Sequence, residues 1–400
     1  MNRHLKIKGT MRKMGAECEV LSILRKHGVD TVAVLPCDRI RRLIWLLERD
    51  ESFDKIHLLK EEDGVGVCAG ISLCGGRPAM LIQSSGLGNA FNAILSLSMF
   101  YGLPLPVIAS WRGIYKEKIP AQIPFNENLP AVLDAFKIPF RVMRHAEDIE
   151  MLDEVLNYSF DHEVPFVLLI SPEFWEQSNE LEQNAEQDYF SARPSQRKWK
   201  RVLIPQRDEF VKPEMTRYDA IRIIASFLSD EVVVSNIGVP SKELFASRDR
   251  ALNFYMLGSY SQVSCIGLGI SLRTRRDVFV LEGDGSMLAT SIYPVIAEKN
   301  PDNLTIFCLD NGTFGSTGDQ PTHALSVVDL EIVARGFGIE NTKKVKSASE
   351  LTRVMETIHS EKGAKFVHIV LKPGNADVKN IPLKHYEIKE RFKAAVKGEK

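Results

Sequence analysis

No charge of one sign prevails in this chain: Lys and Arg together number 51 against 52 Asp and Glu, a formal net charge of −1 over 400 residues. So even a balance provides no global field to gather nucleic acid or an anionic membrane, and any anion-binding site must be local. Cysteine is sparse too. Cys18, Cys37, Cys68, Cys74, Cys265 and Cys308 form no CxxC pair and no Cys/His cluster with zinc spacing. They read as buried free thiols of a reducing compartment. No apolar run approaches the ~20 residues that a bilayer span needs, and no apolar signal core follows the basic opening MNRHLKIKGTMRKMG. These absences predict a cytoplasmic protein with neither membrane nor nucleic acid as a partner.

What the chain does have is alternation. From about residue 15, apolar strand-like runs (DTVAVLP, KIHLLK, PAMLIQ, LPVIAS, PFRVMRH, VPFVLLIS) alternate with helical patterns such as RIRRLIWLLERD, EEDGVGVCAGISLCGG and EDIEMLDEVLNYSF. Continuous apolar strands separated by helices predict a parallel sheet covered on both faces. Residues 176–212 break the pattern, being polar and poor in periodic apolar signal, and read as a linker. Alternation then resumes through EVVVSN, NFYML, DVFVLEG, LTIFCLD, TKKVKS and KFVHIVLKP. The expectation is α/β throughout: two doubly wound parallel-sheet domains, 12–175 and 213–375, with no middle domain and a C-terminal tail, 376–400.

In open parallel sheets, ligands bind beyond the carboxyl ends of the strands. That rule selects seven loops: Pro36 to Asp38, Lys60 to Asp63, Gln83 to Asn89, Ser110 to Gly113, Asn236 to Ser241, Gly283 to Ser286, and Asp310 to Asp319. Neither domain carries a Walker A motif or a GxGxxG after its first strand, which disfavours a nucleotide-binding protein. In the GDGS loop, Gly283 and Gly285 let the backbone approach a ligand, and Ser286 opens the helical pattern beyond. Asp284 would repel a phosphate unless a divalent cation stood between them. Mg²⁺ is commonly held by one or two protein oxygens plus ligand phosphates. Asn311 ends the next predicted strand, 27 positions on, and its amide oxygen suits a second ligand. For a lone GDG the simpler reading is a strand-turn-helix with Asp284 as the helix cap; the paired asparagine argues against it.

Gly283-Asp284-Gly285 followed by Asp310-Asn311 resembles the cofactor motif of the thiamine diphosphate-dependent decarboxylase family. The resemblance implies that Asp284 and Asn311 hold Mg²⁺ through their side chains and Thr313 through its backbone carbonyl. Asp310 stands where the family usually has Asn. The family also needs a glutamate that hydrogen-bonds the aminopyrimidine ring, opens a small-residue helix and stands nine positions before a glycine. Glu61, nine before Gly70, fits, with Glu62 as its rival. The two-domain form resembles the sulfopyruvate and phosphonopyruvate decarboxylases. Echoes of the former, often two separate subunits in methanogenic archaea, include GVDTVAVLPCDRI, AMLIQSSGLGNAFNA and GSTGDQPTH, so the chain looks like a fusion of both. This implies non-oxidative decarboxylation of 3-sulfopyruvate to sulfoacetaldehyde and CO2, on the route to coenzyme M. The alternatives are phosphonopyruvate as substrate, or a subunit that binds the cofactor without turnover.

A small anionic 2-oxo acid needs hydrogen-bond donors. Gln83, Ser85 and Asn89 in QSSGLGN, Arg112 in SWRG, and Thr322 and His323 in DQPTH are the substrate-binding candidates, with Lys116 and Lys118 behind them. The family usually has GSMG where this chain has Gly258-Ser259-Tyr260-Ser261, and the methionine there wedges the cofactor into its bent conformation. Tyr260 is bulky enough to wedge, but its hydroxyl needs a partner, and Ser261 replaces a glycine. The resemblance further implies a homodimer or homotetramer with the active site at the interface.

Overall fold

The computed structural model describes residues 15–176 and 212–398. Apart from its two end residues, the predicted linker lies outside them, as do residues 12–14. The first half of the chain forms strands β1 (Thr31–Val34), β2 (Asp54–His57), β3 (Pro78–Gln83), β4 (Leu105–Ser110), β5 (Phe140–Met143) and β6 (Pro165–Ile170). They join in one all-parallel sheet of order β2-β1-β3-β4-β6-β5. β4 and β6 are buried along their whole length, which is why their sequences are unbroken apolar runs rather than alternating ones.

The second half repeats the architecture. Strands β7 (Val232–Ser235), β8 (Asn253–Tyr255), β9 (Val278–Gly283) and β10 (Leu304–Asp310) come first. A two-stranded hairpin of β11 (Thr313–Phe314) and β12 (Gln320–Pro321) follows, then β13 (Asn341–Val345) and β14 (Lys365–Val370). Apart from the hairpin, these form an all-parallel sheet of order β13-β14-β10-β9-β7-β8. The predicted fold class stands. Among the described residues no helix is long and apolar enough to cross a membrane, and all six cysteines are free.

The two sheets share one continuous apolar core. Its seam is the contact between the helix Glu61–Leu73, buried at every residue, and the helix Val263–Ser271, likewise buried throughout. Glycines let the backbones touch. A Cβ on Gly70 would lie 2.2 Å from the carbonyl oxygen of Ile266, and one on Gly269 would lie 2.1 Å from that of Val67. Backbone carbonyls cannot step aside as a side chain can. Gly269→Val is therefore expected to cost about 3 kcal/mol or more, at the upper end of overpacking penalties, and to lower the thermal unfolding midpoint read by circular dichroism. An unchanged midpoint would show that this seam is not close-packed in solution.

The segment 376–400, expected as a tail, carries the helix His385–Lys397. Ile388, Phe392 and Val396 bury one face in the shared core. Lys389 reaches Glu163 at 2.6 Å and the Gly102 carbonyl at 3.1 Å, both in the first domain, while Arg391 forks onto Asp249 of the second at 2.7 and 2.8 Å. The end of the chain is a strap across both domains.

Candidate functional site

The register of the second sheet answers the spacing of the GDG and Asp-Asn motifs. β9 and β10 are neighbours with Gly283 opposite Leu309, so Asp284 and Asp310-Asn311 leave adjacent strand ends side by side. Between them lies a cleft of ≈ 150 Å³ lined by Asn236, Tyr260, Asp284, Asn311, Thr313 and Phe314 among others, with Gly283, Gly285 and Ser286 in the same wall. The glycines are spatially required: a Cβ on Gly285 would lie 2.3 Å from the Phe314 ring, and one on Gly283 would lie 2.9 Å from the Asn236 amide nitrogen.

Asp284 is buried, and the Thr322 hydroxyl donates to its Oδ2. Burial pushes its pKa up to about 6; the Thr322 bond opposes this, and the nearby Asp310 carboxylate adds to it. A carboxylate so placed gains from a cation. Asn311 is buried as well, with its Nδ2 lacking any hydrogen-bond partner, so the carboxamide retains unused polar capacity. Carboxylate, carboxamide and the Thr313 carbonyl are hard oxygen donors of the kind that suits Mg²⁺. Among the described residues no cluster of three or more His, Cys, Asp or Glu could hold a metal. Asp310 instead turns back into the domain, where its Oδ2 meets His368 Nε2 at 2.7 Å and its Oδ1 accepts from the Gly312 N–H at 3.0 Å. It shapes the loop that presents Asn311.

Gly258 to Ser261 form a strained loop. Ser259 and Ser261 hold φ values of 67° and 70°, a region that favours glycine. Between them Tyr260 is thrown outward over the cleft, and its hydroxyl donates to the Gly285 carbonyl at 2.6 Å. The partner that its hydroxyl needs is thus the GDG loop itself. Ser261 adopts the backbone conformation a glycine would take there, so the substitution is accommodated with strain. Gly258 passes close to the first domain, where a Cβ would lie 3.1 Å from the Ser96 carbonyl oxygen.

A second cluster gathers at the carboxyl edge of the first sheet. Glu61 opens its helix with the side chain buried; Asn89 Nδ2 donates to its Oε2 at 3.0 Å. Gly86 makes room, since a Cβ there would lie 2.1 Å from Glu61 Oε1. Glu62 is engaged by Lys60, and Asp63 points into the seam, accepting from Thr290 Oγ1 at 2.9 Å and the Ser291 N–H at 3.1 Å. Gln83 and Ser85 adjoin Gln122 and Asn126: Gln83 Nε2 lies 3.4 Å from Gln122 Oε1, and Asn126 Nδ2 donates to Ser85 Oγ at 3.0 Å.

Two substrate candidates stand differently from expectation. Arg112 spends its fork on Glu117, with Nε and Nη2 at 2.7 and 2.8 Å from the two carboxylate oxygens, and its Nη1 donates to Gln83 at 3.0 Å. That pairing holds the Glu117 carboxyl at about 2. An arginine already saturated by an internal carboxylate organises the loop rather than gripping an incoming anion. His323 is exposed at the start of a short 3₁₀ turn and does not line the cleft. Its neighbour Thr322 does reach Asp284, from behind.

Asn236, Phe314 and Arg217 line the cleft without having been assigned a role from the sequence. Asn236 ends β7 and lay within a selected loop. Arg217 opens a helix that follows no predicted strand, and nothing in its spacing marked it.

With this geometry in hand, similarity to known proteins is specific. Residues 16–138 match the family "Thiamine pyrophosphate enzyme, N-terminal TPP binding domain" and residues 243–369 the "Thiamine pyrophosphate enzyme, C-terminal TPP binding domain". The chain is 43% identical over 384 residues to the sulfopyruvate decarboxylase of Methanosarcina acetivorans, covering 96% of this chain and 98% of that one. In Methanococcus maripaludis the resemblance divides between two sulfopyruvate decarboxylase subunits. The beta subunit is 40% identical, over 46% of this chain and 99% of the subunit; the alpha subunit is 36% identical, over 41% and 98%. The phosphonopyruvate decarboxylase of Streptomyces viridochromogenes is 32% identical, over 92% of each chain. The chain therefore belongs to the thiamine pyrophosphate enzymes, in the same family as the sulfopyruvate decarboxylases.

Proposed function

We infer that this protein decarboxylates 3-sulfopyruvate to sulfoacetaldehyde and CO2 without net oxidation, using thiamine diphosphate and Mg²⁺, as a step toward coenzyme M. The observation that carries the cofactor assignment is the pairing of a buried Asp284 with a buried Asn311 at adjacent strand ends beside the GDG turn. The substrate assignment rests on the 43% identity to a full-length sulfopyruvate decarboxylase, against 32% for the phosphonopyruvate enzyme.

Thiamine diphosphate, when bound, supplies an electron sink for the pair released as CO2 leaves a 2-oxo acid. The chain supplies placement and electrostatics. Asp284, Asn311 and the Thr313 carbonyl would hold the cation, and Gly283 to Ser286 would give a diphosphate close access to the backbone. Glu61, held by Asn89 and given room by Gly86, would accept a hydrogen bond from the pyrimidine end and steady the proton moving there. Gln83, Ser85 and Asn89 would face the substrate's oxyanions. No first-domain residue lines the cleft among the described residues. This supports a site completed by Glu61 of a second copy in a homodimer or a larger assembly.

Assay of the purified protein with thiamine diphosphate and Mg²⁺ on sulfopyruvate, phosphonopyruvate and pyruvate tests the reading. CO2 is expected from sulfopyruvate, with loss of turnover on chelation of the metal. Release from phosphonopyruvate alone would transfer the assignment to that substrate. A chain that binds the cofactor and releases CO2 from none would be a binding subunit.

A further inference from the structure

Arg217 contributes the only basic side chain to the cleft beside Asp284 and Asn311 among the described residues. It is 5% exposed. Its Nε donates to Glu243 Oε2 at 2.8 Å, and its Nη2 donates to Glu243 Oε1 at 3.2 Å and to Asn375 Oδ1 at 2.8 Å. Nη1 makes no hydrogen bond to any described residue, so part of a five-donor guanidinium is left over. The frame around it is itself hydrogen-bonded. Glu243, fully buried, also accepts from the Ala376 N–H at 3.1 Å, and Asn375 Nδ2 donates to the Gly315 carbonyl at 2.7 Å. One face of the guanidinium is thus clamped by a carboxylate and an amide from two separate segments, while the residue itself forms part of the cleft wall.

We propose that Arg217 is a diphosphate-binding residue, oriented by Glu243 and Asn375 so that Nη1 meets a phosphate oxygen in the cleft. A planar guanidinium with a free edge matches a phosphate better than a lone ammonium would. The proposal rests on the cofactor reading above and adds to it a second positive group, independent of the metal. It also separates two roles. A purely structural Arg217 would matter only through the frame it joins, whereas a phosphate-binding one matters through its charge.

Calorimetric titration of the full chain with inorganic pyrophosphate and Mg²⁺, and separately with thiamine diphosphate and Mg²⁺, tests this, with circular dichroism to confirm folding. The paired change Arg217→Gln with Glu243→Gln removes the cation without stranding a buried carboxylate. It is expected to weaken both ligands roughly ten- to hundredfold, the scale of a charge-assisted hydrogen bond. Glu243→Gln alone keeps the guanidinium charge but gives up one of the two acceptors that orient it, and is expected to weaken pyrophosphate binding by less than the paired change. Wild-type affinity in the paired variant, or a loss in Glu243→Gln as large as the paired loss, overturns the proposal. If the paired variant does not fold, Arg217→Lys decides, since it keeps a charge beside Glu243 but loses the planar fork: weakened pyrophosphate binding supports the proposal and wild-type affinity overturns it. The two readings fail separately. Wild-type protein that binds thiamine diphosphate as tightly as the paired variant does leaves the cofactor and refutes Arg217. Wild-type protein that binds pyrophosphate through Arg217 but not thiamine diphosphate refutes the cofactor and leaves the residue.

Discussion

Glu61→Gln is expected to lower turnover by about 10²- to 10⁴-fold, the range over which a positioned proton-handling group acts, while thiamine diphosphate still binds with near wild-type affinity. Glutamine keeps the size of the side chain that fits against Gly86, whose Cβ position lies 2.1 Å from Glu61 Oε1. It loses the charge and the freedom to accept from both oxygens. Binding is expected to survive because the residues proposed to hold the metal and the diphosphate lie in the other domain. Steady-state rates with sulfopyruvate and calorimetric cofactor titration separate the two effects. Glu62→Gln should leave the rate within a few-fold of wild type, since Glu62 is paired with Lys60. A fully active Glu61→Gln protein would move the role to another carboxylate.

Asp284→Ala is expected to abolish metal-dependent cofactor binding, weakening it at least roughly 10²-fold, because a hard divalent ion loses its one charged protein ligand. Asp284→Asn separates this from damage to the fold. Burial pushes the Asp284 pKa up to about 6 from the ordinary 3.8. The folded state therefore holds the proton more tightly than the unfolded state, and ionisation opposes folding as pH rises through that window. Above about pH 6 the opposition is complete, and below about pH 4 it is absent. Cofactor-free Asp284→Asn should thus melt at or above the wild-type midpoint at pH 8, with the gap closing on acidification, while cofactor and Mg²⁺ no longer raise its midpoint. A variant that melts far below wild type at pH 8 would show that Asp284 is structural. Co-expression of Glu61→Gln with Asp284→Ala checks the shared site. If each site joins domains of two copies, mixed dimers carry one intact site, and about a quarter of wild-type activity returns under random pairing. If each site lies within one chain, none returns.

How much of this was legible in advance depended on the range of the interactions involved. Unbroken apolar runs declared buried parallel strands because the side-chain period of a strand and burial on both faces act locally along the chain. The GDG turn and Asn311 were visible because each sits directly at a strand end, where parallel sheets place ligands. The helix His385–Lys397 passed unrecognised as part of the fold: its buried Ile388, Phe392 and Val396 are spaced for a helix, but what they pack on belongs to residues far away in sequence. The pairing of Arg112 was hidden for a related reason. Its carboxylate partner, Glu117, is only five positions on, but nothing in the spacing shows that a loop will fold the two into a bidentate pair.

The sequence by itself determined the two-domain α/β architecture, the GDG and Asp-Asn motif at two strand ends and the small-residue helix beginning at Glu61, because local periodicity and glycine placement carry that information directly. Only the tertiary structure decided which of Glu61, Glu62 and Asp63 meets Asn89, which is paired with Lys60 and which is sunk in the seam. Neighbours one residue apart on a helix point about 100° apart, so their surroundings depend on what packs on each side. It alone also brought Arg217, Glu243 and Asn375 together at the cleft. They are joined by no sequence spacing, and a buried guanidinium is stable only where folding places its partners around it.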